Sequence, residues 1–178
     1  TKELVQNNLK MVDVVIELLD ARIPYSSKNP QIDEIVGNKP RVVVLNKSDL
    51  ANPANVCNWV NYYAKRGIKA IPVATIKGNG VNKIVEECKN VTKEMMDNLK
   101  AKGRQERAIR LMIVGIPNVG KSTLINKLTG RKSTVTGDKP GVTKCKQWVR
   151  LKGNLELLDT PGILWPKFED LEVALNLA

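Results

Sequence analysis

The chain has 178 residues, 42% of them hydrophobic, and a formal net charge of +11. That length supports one sizeable core and is short for two ordinary domains, so a single globular domain over residues 1–178 is expected. Cys57, Cys88 and Cys145 are far apart and there is no histidine, which argues against structural zinc and imidazole chemistry. No apolar run nears the ~20 residues that span a bilayer, and no signal-peptide layout opens the chain. A soluble, cytoplasmic protein with no membrane contact is expected, and its basic balance predicts attraction to polyanions.

In chain order, Thr1 to Lys10 reads weakly as a helix, and the β-branched, nearly continuous apolar run Val12 to Leu19 reads as a buried parallel strand ending at Asp20-Ala-Arg-Ile-Pro24. Asn29 before Pro30 predicts a helix start, with Gln31 to Val36 helical and Gly37 its stop. Arg41 to Leu45 is a second buried strand that delivers Asn46-Lys-Ser-Asp49. Asn52-Pro53 opens a helix with Val56, Trp59, Val60 and Tyr63 on one face, predicted as core packing and not as a platform for bases. Lys69 to Val73 is a third strand. A loop at Lys77-Gly-Asn-Gly80 then leads to a long helix with Val81, Ile84, Val85, Cys88, Val91 and Met95 on one face. Lys100 to Arg107 reads as a polar, basic, solvated connector.

Leu111 to Val114 is a strand that feeds Gly115-Ile-Pro-Asn-Val-Gly120-Lys121-Ser122, and Thr123 to Leu128 follows as a helix. That arrangement is a P-loop: backbone N–H groups and a helix N-terminus converge on a nucleoside di- or triphosphate. Lys121 would neutralise the β- and γ-phosphates and Ser122 would ligate Mg²⁺. Arg131 to Lys146 is predicted as a loop holding Pro140-Gly-Val-Thr143, and Gln147 to Leu151 with Leu155 to Leu158 as a hairpin around Lys152-Gly-Asn154. The second of these strands runs into Asp159-Thr-Pro-Gly162. The chain ends at Ala178 within an amphipathic stretch that lacks a cap signal, so a truncated chain is expected. Strands alternating with helices predict an α/β fold with a mainly parallel sheet, the three-layer arrangement of P-loop NTPases.

The remaining parts of a phosphoryl-transfer site have candidates here. Asp159 ends an apolar strand, as a Mg²⁺-directed aspartate should, and Gly162 can offer an N–H to the γ-phosphate, although Asp-x-x-Gly alone is usually a turn. Thr143 could join the Mg²⁺ shell with triphosphate bound, making its loop a switch. Asp49 can accept from both N1–H and the 2-amino group of guanine, whereas adenine, an acceptor at N1, would leave it unpaired. Asn46 would brace the loops and the Lys47 stem would lie over the base. In ordinary GTPases the base-reading motif comes last, but here Asn46 to Asp49 precedes Gly115. The order is rotated. A compact α/β domain tolerates this where one connector, here Lys100 to Arg107, joins the usual termini.

These motifs, with Asp20-Ala-Arg-Ile-Pro24, Ser26-Ser27, Asn29-Pro30 and the run Asp159-Thr-Pro-Gly-Ile-Leu-Trp-Pro166, resemble those of the circularly permuted GTPases of the RbgA/YlqF ribosome biogenesis family. The resemblance covers essentially the whole chain. It implies that Asn46, Lys47 and Asp49 bind guanine and that Gly115 to Thr123, including Asn118, Val119, Gly120, Lys121 and Ser122, cradle phosphates. It also implies that Thr143 and Asp159 to Gly162 sense Mg²⁺ and the γ-phosphate. The resemblance implies a C-terminal helical RNA-binding domain in the family, and that domain is expected to be absent from this chain. Where such GTPases commonly have Ser-Ala-Lys, this chain has Ala74-Thr75-Ile76, whose backbone N–H groups can still reach guanine O6. Ile163 stands where many GTPases place a water-orienting glutamine. Asn118 resembles the asparagine that holds K⁺ in potassium-activated GTPases, unless it makes only an ordinary loop hydrogen bond.

The expected protein is a monomeric GTPase with GTP/GDP, Mg²⁺ and K⁺ as cofactors, in which Lys121, Asn118, Thr143 and Gly162 serve hydrolysis. Its expected partner is the large ribosomal subunit and its rRNA, which would stimulate slow intrinsic turnover during late assembly. Arg22, Lys132, Lys139, Lys144 and Lys146 are candidates for rRNA contact or plain surface charge. A non-catalytic, nucleotide-gated RNA-binding scaffold is the alternative, and a small-molecule kinase is disfavoured by the guanine motif.

Overall fold

The computed structural model describes residues 2–28, 30–115, 120–129 and 147–159. Strands β1 (Val14–Asp20), β2 (Arg41–Asn46), β3 (Lys69–Pro72), β4 (Ile109–Val114), β5 (Gln147–Leu151) and β6 (Leu155–Asp159) form one sheet in the order β3-β2-β1-β4-β6-β5. Every neighbouring pair is parallel except β5 with β6, which is antiparallel. The α/β fold and the six strands follow the sequence pattern, because runs covered on both faces are apolar at both alternations. All seven residues of β1 are buried.

Helices cover both faces. Val14, Ile16 and Leu18 of β1 pack in one cluster with Ile84 and Cys88 of α4 (Val81–Ala101) and Leu124 and Leu128 of α5 (Lys121–Thr129). Val15 turns to the opposite face with Val5 and Leu9 of α1 (Lys2–Leu9) and Ile32 and Ile35 of α2 (Ile32–Val36). Leu19 lies on that face too, against Val56 and Tyr63 of α3 (Pro53–Ala64). The aromatic stripe of α3 is therefore core packing, as its spacing predicts. Glu17 alternates with Val15 and Leu19 and is 2% exposed between their clusters.

Helix ends follow local chemistry with one shift. The Asn52 side chain accepts from the Ala54 N–H with Pro53 as first helical residue, and Ile68 N–H closes on Tyr63 C=O with Gly67 at φ +73°, a left-handed stop. α2 begins later than its Asn-Pro signal predicts: Pro30 and Gln31 are in a turn, Gln31 is the cap residue and its side chain makes no capping bond. Lys28 pairs with Asp33 across that turn, a contact unavailable to a sequence reading. The connector is exposed over residues 100–106, as expected, and departs from that expectation at its end. Its final residue, Arg107, makes a two-pronged pair with Asp13 at 2.7 and 2.8 Å, and Asp13 accepts Arg110 N–H as well.

Candidate functional site

Because β1, β2, β3, β4 and β6 run parallel, their carboxyl ends share one edge of the sheet. The chain winds outward from β1 through β2 to β3, then returns to place β4 on the other side of β1. Such a switch point opens a crevice at the strand ends. Asp20, Asn46, Val73, Gly115 and Asp159 all end or follow strands at that edge.

Asn46, 3% exposed, ends β2. Its Oδ1 accepts Thr75 Oγ1–H at 2.6 Å and Thr75 N–H at 3.3 Å, fixing the loop after β3. Its Nδ2 faces Gly120, at φ +91°, so closely that a Cβ there would collide with it. One buried amide thus bonds the segment after β2 to the segment after β3 and packs closely against Gly120 in the segment after β4. Ser48 N–H to Val73 C=O, at 3.0 Å, adds a backbone tie between the first two.

Beyond Asn46, Lys47 adopts the left-handed conformation, φ 60° and ψ 33°, and leads into the short 3-10 turn Ser48–Leu50 that carries Asp49. Asp49 lies 3.3 Å from Lys77 Nζ. Ala74 and Thr75 are buried, whereas Ile76 is 81% exposed. The Ala74 backbone is fixed by bonds to Asn79 on either side of its turn. Lys47 Nζ lies 3.7 Å from Asp20 Oδ2, and Arg22 grips the same carboxylate through Nε at 3.1 Å and a terminal nitrogen at 2.8 Å. Burial opposes ionisation of Asp20. The hydrogen bonds and charge of Arg22, with the charge of Lys47, outweigh it and hold the carboxyl below its usual range.

On the phosphate side, Gly115 follows β4, and Leu124 N–H bonds to Gly120 C=O at 3.0 Å, so Gly120 opens α5. Lys121 and Ser122 are exposed in its first turn, and Thr123 is half-buried. Asp159 is the last residue of β6, beside β4 in the sheet. Asn118, Val119, Thr143, Gly162 and Ile163 lie outside the described residues, as does Cys145. Among the described residues, no cluster of three His, Cys, Asp or Glu could hold a metal ion. No described helix is long and apolar enough to cross a membrane.

Two relationships at the site are not apparent from motif spacing: the pairing of Asp49 with Lys77, and the grip of Asp20 on both Arg22 and Lys47. The second had one available signal, a carboxylate at the end of a nearly continuous apolar run.

Against known proteins, the chain is 55% identical over 175 residues to Ribosome biogenesis GTPase A of Priestia megaterium, covering 98% of this chain and 61% of that protein. Over nearly its whole length the chain is similar to proteins of the RbgA/YlqF family. A more distant member, Ribosome biogenesis GTPase A of Thermotoga maritima, is 35% identical over 178 residues, with 99% of this chain and 61% of that protein covered. A family model described as a 50S ribosome-binding GTPase matches residues 110–177. The crystal structure of GNP-bound YlqF from T. maritima superposes with a TM-score of 0.68 at 30% identity, covering 99% of this chain and 64% of that one. A GDP-bound YlqF structure gives 0.67 at 29% identity, with 98% and 63% covered. The chain spans about three fifths of the length of the family members it matches.

Proposed function

We propose that this protein is a GTP-binding and GTP-hydrolysing switch acting in late assembly of the large ribosomal subunit. The observation that carries the reading is the buried Asn46 amide, which bonds the Thr75 loop to the base-reading strand end and lies in close approach to Gly120 of the P-loop. Base and phosphate contacts are thereby held in one frame, which lowers the ordering cost of binding both ends of a nucleotide.

Within that frame Asp49 accepts the guanine N1–H and 2-amino donors, the loop at Ala74, Thr75 and Ile76 offers N–H groups to O6, and the Lys47 stem covers the base. Gly120 lets the backbone approach the phosphates, and Lys121 neutralises them. Ser122, Thr143 and Asp159 would hold Mg²⁺, which when bound spreads the negative charge of the phosphate oxygens. Asn118 would hold K⁺. The apolar Ile163 cannot orient water, so unaided turnover stays near the ~10⁻⁴–10⁻³ s⁻¹ of Ras-like sites, and contact with the subunit supplies the missing acceleration. The names of the relatives and the description of the matched model support that partner, and the +11 charge suits its RNA.

The test is GTP turnover in KCl and in NaCl, each with and without purified large subunits. Strong stimulation by subunits, greater in K⁺, is expected. Tight GTP binding without stimulation in either salt would remove hydrolysis on the ribosome from this account and leave a nucleotide-gated scaffold.

A further inference from the structure

The base-reading lysine has an anchor outside the nucleotide motifs. Asp20 ends β1 directly opposite Asn46 of β2 in the parallel register, and Ala21 N–H bonds to Asn46 C=O at 2.7 Å. The loop after Asp20 is closed by Ser27, whose Oγ accepts Asp20 N–H at 2.9 Å and donates to Pro24 C=O at 3.2 Å. Asp20 is 4% exposed and therefore has little freedom to choose other partners.

Its two carboxylate oxygens divide the work. Oδ1 accepts Arg22 N–H at 2.9 Å and Arg22 Nε–H at 3.1 Å, which shapes the turn. Oδ2 faces outward to two cations, the Arg22 terminal nitrogen at 2.8 Å and Lys47 Nζ at 3.7 Å. A lysine stem is flexible, and an ion pair at its ammonium narrows the directions the stem can take. Tethering the ammonium sets the direction of the four-carbon stem, and the left-handed backbone at Lys47 sets where that stem begins.

We propose that Asp20 is a positioning residue for nucleotide binding, holding the Lys47 ammonium so that its aliphatic stem forms a fixed lid over the guanine ring. The inference rests on the guanine-nucleotide reading of the site. It assigns to the Asp-Ala-Arg-Ile-Pro loop a share in base affinity through stacking, distinct from the edge recognition supplied by Asp49. Stacking is blind to the 2-amino group, and edge recognition is not.

The test uses the full chain and its Asp20→Asn, Asp20→Glu, Lys47→Met and Asp20→Asn/Lys47→Met variants, titrated calorimetrically with GDP, IDP and ADP. Asparagine keeps the Oδ1 acceptor for the Arg22 backbone N–H and Nε–H but replaces the oxygen that the Arg22 terminal nitrogen and Lys47 share. Asp20→Asn should weaken GDP and IDP alike, by about fivefold, the scale of a partly exposed ion pair. The GDP-to-IDP ratio should stay that of the parent, and Asp20→Glu should recover part of the loss. In the Lys47→Met background Asp20→Asn should add nothing. Additive losses, a collapsed GDP-to-IDP ratio, or Asp20→Asn binding like the parent would each overturn the proposal. If the parent itself fails to prefer GDP over ADP, the guanine reading fails first and is identified as the cause. Thermal melting of each variant separates a folding loss from a binding loss.

Discussion

Gly120 opens the P-loop helix with its α-carbon turned toward the amide nitrogen of Asn46, a residue far away in sequence. Asn46 cannot swing aside without breaking both bonds to Thr75. Gly120→Ala therefore meets two penalties, a side chain at φ +91° and a collision with a braced amide. The expected result is a loss of about 2 kcal/mol in unfolding free energy and at least tenfold in GDP affinity. Urea unfolding and GDP titration check this. Parent-like affinity would show that the close approach is dispensable.

Glu17 makes the opposite kind of prediction, a gain on removal. It lies in β1 with side-chain oxygens that make no hydrogen bond, and Arg41 at 3.4 Å is in ion-pair range only. Burial pushes its carboxyl above the usual range, with Arg41 and Lys28 opposing in part. The folded protein thus holds this proton more tightly than the unfolded chain. Its contribution is most favourable below the unfolded pKa of 4.5 and declines as pH rises from there through the higher folded value. Arg41 keeps Asp33 at 2.6 Å, so Glu17→Met leaves no orphan cation. That variant should gain about 1 kcal/mol at pH 7–8 and lose the decline. Melting temperatures across pH 4–8 decide it; a less stable variant at pH 8 would mean the Glu17–Arg41 pair is net favourable.

The Asp20 and Asp33 carboxyls act in the other direction. Burial opposes their charge, but the hydrogen bonds and charges of Arg22 and Lys47 for Asp20, and of Arg41 and Lys28 for Asp33, hold both below the usual range. Their contribution is present above the unfolded carboxyl pKa and is lost as pH falls through the folded values. Asp20→Asn should therefore flatten the acid limb of the stability profile below about pH 4, where Glu17→Met leaves it in place. An unchanged acid limb in Asp20→Asn would show that Arg22 does not stabilise the charged form.

At the base of the sheet, Asp13 holds Arg107 and the Arg110 N–H together. Arg107 is 37% exposed at its side chain, so solvent screens its pair and Arg107→Ala should cost only about 1 kcal/mol. Asp13→Ala also removes the partner of Arg110 N–H and should cost roughly 2 kcal/mol. Urea unfolding of the two variants checks the ranking, and equal losses would mean the Arg110 bond contributes nothing.

The two described cysteines separate by environment. Cys88 is fully buried in α4, where burial pushes its thiol up to about 12, while Cys57 is exposed on α3. Iodoacetamide at pH 8 should label Cys57 in the native protein and reach Cys88 only on unfolding. Mass spectrometry of labelled peptides reads this directly, and early Cys88 labelling would contradict the packing of α4.

The amino-acid sequence by itself determined a good deal. Apolar runs such as Val42 to Leu45 must be buried strands and Asn52-Pro53 must start a helix, because these are properties of neighbouring residues. The order of the motifs, with Asn46 to Asp49 ahead of Gly115, was equally legible. Tertiary structure alone decided which side chains meet. Asn46 and Thr75 are 29 residues apart and Asp13 and Arg107 are 94 apart. The first distance closes because β3 lies beside β2, and the second because β1 is inserted between β2 and β4 in the sheet. The same insertion leaves Glu17 among apolar neighbours and sets Asp20 beside Asn46, within reach of Lys47. No local pattern encodes strand neighbourhood, since it is fixed by how the sheet's two faces are shared among the helices that cover them once the chain has collapsed.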